Sequence, residues 1–88
     1  MTTLTDQQKR LIFRSWHRGT REMDILMGNF ADRVVPGLTP AQIDEYERLL
    51  DCPDPDLYDW YTGKVAVPAD ADTSVLRAFL GFRLAAAG

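Results

Sequence analysis

One cysteine and one histidine are all that the 88 residues offer of the two side chains most often found ligating metals. Cys52 alone cannot close an intramolecular disulfide, so the fold must stand on packing, as expected in a reducing compartment. With His17 it cannot complete a tetrahedral metal set, and a nucleophilic dyad would need both residues beside an oxyanion site. Long apolar runs are missing too, so no membrane insertion is expected. The opening Met1-Thr2-Thr3-Leu4-Thr5-Asp6 shows neither a charged-then-apolar signal nor an Arg-rich transit segment. The chain also lacks a Gly-rich phosphate loop, a dinucleotide-binding glycine fingerprint and a Ser/His/Asp set. These absences predict a cytoplasmic chain that is not an enzyme, holds no metal and has no catalytic residues.

What is present is ordinary globular material. Apolar residues at 45% and charged residues at 26% argue against disorder. The length predicts one domain over residues 1–88, with 1–4 and the Ala85-Ala86-Ala87-Gly88 tail fraying. A chain this short buries roughly 60–65% of its unfolded surface, enough for a fold but not for a deep substrate cavity.

The net charge of −3 conceals a division. Residues 1–36 carry six Lys/Arg against four Asp/Glu, whereas residues 37–72 carry two against nine. Lys9, Arg10, Arg14, Arg18 and Arg21, with Trp16 and His17 among them, could read as a nucleic-acid surface. They read equally as a solvated helix face, and the acidic total opposes polyanion binding. A bipolar surface suits a protein partner steered into one orientation.

The local grammar is helical almost throughout, predicting an all-α compact bundle of five short helices. Thr5 and Gln8 make a capping box, behind which Gln8, Leu11, Ile12, Ser15 and Trp16 share a face. This helix is expected to stop near Gly19, as a C′ residue. Thr20 then caps a second helix bearing Met23, Leu26, Met27, Phe30 and Val34, ended by Pro36-Gly37. Thr39-Pro40-Ala41-Gln42 starts a third, with Ile43, Tyr46 and Leu50 on one stripe and Leu49 beside it, ending near Asp51-Cys52-Pro53. Asp54-Pro55 restarts the chain in the same way, Leu57, Tyr58, Trp60 and Tyr61 fill about two turns, and Gly63 closes them. Lys64 to Asp72, with Pro68, is a loop with room for a short extended piece at Val65-Ala66-Val67. Thr73 or Asp72 caps the last helix, where Val75, Leu76, Phe79, Leu80 and Leu84 recur.

Two segments invite chemical readings. Asp51, Asp54, Asp56 and Asp59 suggest a calcium loop, but Pro53 and Pro55 between them mark a helix start, where aspartate is favourable. Cys52 reads as a small buried hydrophobe. In the segment His17 to Asp24, capping explains every residue. Arg18 complements the C-terminal dipole of the first helix, Gly19 takes a left-handed turn, Thr20 caps, and Glu22 and Asp24 complement the next N-terminus. The same residues also suit docking: a glycine between Arg18 and Glu22 admits another backbone while two charges fix its register.

Arg18-Gly19-Thr20-Arg21-Glu22 resembles the Arg-Gly-x-x-Glu motif of the succinate dehydrogenase assembly factors, the flavinylation factors of bacteria and mitochondria. Leu49-Leu50-Asp51 followed by Asp54-Pro55-Asp56-Leu57-Tyr58-Asp59-Trp60 resembles the family's second block, and Gly63-Lys64 and Pro68-Ala69-Asp70 follow after a short insertion. The resemblance covers about Arg14 to Asp70. It implies a chaperone-like factor that binds the flavoprotein subunit of succinate dehydrogenase, or of fumarate reductase, and promotes covalent attachment of FAD to a histidine there. FAD then belongs to the partner, and this chain, a monomer, binds none tightly. Arg18, Gly19 and Glu22 would lie at the interface, with Arg21 and Asp24 nearby, while Tyr58 and Trp60 would pack inward. The alternatives are a nucleic-acid-binding helical module and an antitoxin-like regulator.

Overall fold

Threonines set four of the five helix starts. The computed structural model describes residues 3–83, with α1 over Asp6–Trp16, α2 over Arg21–Val34, α3 over Pro40–Asp51, α4 over Asp54–Thr62 and α5 over Ser74–Gly81. Thr5 Oγ1 accepts from Gln8 N at 3.0 Å while Gln8 Oε1 accepts from Thr5 N at 2.8 Å. Thr39 and Gln42 repeat this reciprocal box at 3.2 and 3.0 Å. Thr20 accepts from Met23 N, and Thr73, not Asp72, accepts from Leu76 N. Short 3-10 turns occupy Val35–Gly37 and Ala69–Ala71, and no strand occurs among the described residues.

The helical stripes meet in one core. Leu11, Met27, Phe30, Tyr46, Leu57, Leu76 and Phe79 are buried within it. Burying each such side chain stabilises the fold by roughly 1.5–3 kcal/mol. Phe30 of α2 lies 5.9 Å from the Tyr46 ring of α3 and 5.4 Å from that of Phe79 in α5, joining three helices. At the α1–α2 contact the Trp16 ring lies over Gly28, where an added Cβ would sit 2.2 Å from it. The absent side chain is what lets the indole pack there. Buried polar groups are paired: Ser15 Oγ meets the Tyr46 hydroxyl at 2.7 Å, and Gln8 Nε2 donates to Val35 O at 3.2 Å. Burial still pushes the Tyr46 phenol above its ordinary pKa.

Several expectations need correction. α1 stops at Trp16 with His17 as its cap, so Gly19 lies two residues past the cap rather than directly after it. Tyr58 is 45% exposed instead of packing inward, because Leu57 and the neighbouring Trp60 and Tyr61 already supply the face of α4 that meets the core. Trp60 does pack against the core, partly buried. Asp54 does not cap α4: Pro53 holds the cap position with no side-chain bond, and the Asp54 carboxylate turns to Arg18. Leu84 and the Ala85–Gly88 tail lie outside the described residues.

Candidate functional site: the turn between α1 and α2

Residues 17–20 connect the first two helices, and their backbone needs partners once α1 has ended. Asp24 supplies them from the first turn of α2, its Oδ1 accepting from Arg18 N and from Gly19 N, the latter at 3.1 Å. Gly19 has φ +129°, a conformation that strains residues bearing a Cβ. Yet no heavy atom lies within 4 Å of the position its Cβ would take. Space is therefore open above Gly19, and only the backbone demands glycine.

Arg18 acts at longer range than its sequence position suggests. Its Nε donates to Asp54 Oδ1 at 2.8 Å, Nη1 to Leu50 O at 2.7 Å and Nη2 to Cys52 O at 2.8 Å. Nη2 also lies 2.7 Å from Asp54 Oδ1. Arg18 thus serves the carbonyls ending α3, not the dipole of α1 as expected. The two side chains are only 10% and 16% exposed, so this charge-assisted network is shielded from water. It fastens the α1–α2 turn to the α3–α4 turn.

This clamp separates the five site candidates. Arg18 and Asp24 are occupied internally and build the turn. Gly19, Arg21 and Glu22 remain exposed on it. Beside them Thr20, Glu22, Met23, Asp54, Pro55 and Tyr58 line an open groove of about 360 Å³. Of the groove's lining, only Glu22 was a candidate from the sequence, and the exposed Tyr58 is the aromatic that sequence reasoning placed elsewhere. The signal was there: with Leu57 and Tyr61 spaced one turn apart on the inward side, Tyr58 falls off that stripe.

Little on this surface could do covalent chemistry. Burial, with Asp56 and Asp51 nearby, pushes the Cys52 thiol above its ordinary range, which disfavours the nucleophilic thiolate. Among the described residues no group of three or more His, Cys, Asp or Glu could hold a metal. Among the described residues, too, no helix is long and apolar enough to cross a membrane.

The fold and the site together define an all-helical domain that carries a stiffened turn with an exposed glycine and carboxylate. Comparison with known proteins sharpens that class. The family described as the flavinator of succinate dehydrogenase matches residues 9–83, and the chain belongs to this family. It is similar to the FAD assembly factor SdhE of Acetobacter pasteurianus, 39% identical over 74 residues, covering 84% of this chain and 68% of that protein. It also resembles succinate dehydrogenase assembly factor 2, mitochondrial, of Dictyostelium discoideum, 40% identical over 70 residues and covering 80% and 50%. The protein of that name in Scheffersomyces stipitis is 45% identical over 60 residues, covering 68% and 40%. The chain therefore spans about two thirds of the bacterial relative and half or less of these two mitochondrial ones. The relatives are named as assembly factors, the class that the resemblance led us to expect.

Proposed function

We propose that this chain docks on the flavoprotein subunit of succinate dehydrogenase, with that of fumarate reductase as a second client, and promotes covalent attachment of FAD. It does so as a monomer in the cytoplasm. The observation that carries the reading is the exposed Gly19–Glu22 edge on a turn made rigid by Arg18 and Asp24. A turn already held in one conformation loses little entropy on binding. The helper's task is positional: it holds the flavoprotein so that histidine and flavin reach reacting distance, an effect that needs no catalytic side chain of its own. FAD belongs to the partner.

The test compares Gly19→Ala with Gly19→Leu. In both the Cβ meets open space and the backbone strain is the same, roughly 1–3 kcal/mol, so their melting temperatures should be similar. If Gly19 is a point of close approach, only the leucine variant should lose docking, and covalent flavin in the denatured flavoprotein, read by in-gel fluorescence, should fall. Glu22→Ala should lower it as well, with little change in melting. Normal covalent flavin with a folded Gly19→Leu protein would refute the assignment.

A further inference from the structure

We propose that the outward face of α1 is a second docking surface, which takes an acidic segment of the same flavoprotein partner. The partner's identity rests on the reading above; the surface itself is carried by different residues. Leu11 and Ser15 turn into the core, which leaves Lys9, Arg10, Phe13 and Arg14 around an open depression of about 450 Å³. Phe13 is 63% exposed, although burial of an aromatic ring is strongly favourable. Its ring stacks on His17 with centroids 4.0 Å apart, and His17 Nδ1 lies 2.7 Å from Phe13 O, which fixes the imidazole beneath it. The result is a flat apolar platform among three cations.

Those cations are available. Arg14 reaches Asp51 at 3.3 Å, but the two side chains are 46% and 73% exposed, so the pair is easily exchanged. Lys9 and Arg10 make no ion pair among the described residues. Carboxylates spaced about one helical turn apart, flanking an apolar side chain, would match this pattern. A nucleic acid matches it less well. The cations span only residues 9–14, and the α3 carboxylates beside them, Glu47 bonded to Gln7 and Asp51 to Arg14, would repel a phosphate chain running further. A short acidic peptide segment can lie against Lys9, Arg10 and Phe13 and need displace only Asp51 from its exposed pair with Arg14.

The experiment measures affinity for the flavoprotein subunit at low and high salt, using the full chain and two variants. Lys9→Glu combined with Arg10→Glu should bind about tenfold more weakly at low salt and lose most of the salt dependence. Phe13→Ala should bind about tenfold more weakly at both salts, because its contribution is apolar. Both should melt as the parent does, since the face is exposed; Arg10→Gln is the milder substitute if the double reversal melts early. Folded variants that bind like the parent, while Glu22→Ala binds poorly, would overturn this surface and leave the docking turn standing. A parent chain that fails to bind the flavoprotein would overturn both. Tighter binding of the parent to duplex DNA or to phosphatidylserine vesicles than to the flavoprotein would overturn the acidic protein segment as occupant.

Discussion

The connection between α1 and α2 and the connection between α4 and α5 solve the same problem in opposite ways. Residues 17–20 are tied down by side chains from elsewhere, with Asp24 accepting from two of their N–H groups and the Arg18 guanidinium reaching Leu50, Cys52 and Asp54. Residues 63–73 rely mainly on local means: Gly63 in the left-handed region, backbone bonds from Lys64 and Val65 to Asp59 O, and the 3-10 turn at Ala69–Ala71. Their ion pair, Asp72 with Arg77, is largely exposed. The shorter connection is the one built to hold an exposed edge still. Rigidity at the surface comes here from where the buried ends of the network lie.

The comparison breaks first at Arg18. Arg18→Ala would strand Asp54 and two carbonyls in a shielded position, and should cost about 3 kcal/mol. The melting temperature should fall by roughly 12–24 °C at that cost. Arg18→Lys should recover only part of the loss, because an ammonium lacks the planar fork that serves acceptors from two segments. A thermal melt of both variants checks this, and a near-neutral Arg18→Ala would show that the clamp is not what holds the turn.

A smaller effect is expected where the longer connection enters α5. Glu45 accepts from Ser74 Oγ at 2.7 Å and from Val75 N at 3.0 Å, and these bonds lower its carboxyl pKa. A lowered folded-state pKa gives stability that is present above the unfolded value and lost as pH falls through the folded one. The melting temperature should therefore fall on acidification through and below the ordinary carboxylate range. Glu45→Gln, which keeps an acceptor but cannot titrate, should flatten that part of the pH profile. Paired melts at neutral and acidic pH measure the difference. The smallest effect belongs to the loop itself: Val65→Ser, at a side chain 47% exposed, should change stability by less than about 0.5 kcal/mol in denaturant titration. A larger loss there would mean that the loop is held as firmly as the turn.

The legible parts of this fold share a range of three or four residues. Thr5 with Gln8, Thr39 with Gln42, and Thr20 with Met23 are capping pairs one turn apart, and the α2 stripe from Met23 to Phe30 repeats at helical spacing. The candidate turn was legible as a motif, but the division of labour within it was not. Arg18 looked like a cap for its own helix or a contact for a partner, and what its guanidinium holds in this fold is Leu50 O, Cys52 O and Asp54. Tyr58 looked like core because aromatics usually are, and the packing of Leu57 left it outside.

By itself the sequence determined the helical class and the four threonine-capped helix starts, because caps and amphipathic stripes are satisfied within one turn of the chain. Tertiary structure alone decided that Arg18 grips residues 32 to 36 positions away, that Trp16 rests on Gly28, and that Phe13 stays exposed among cations. These depend on which helices become neighbours, and that is settled by how the whole core packs rather than by any local stretch of chain.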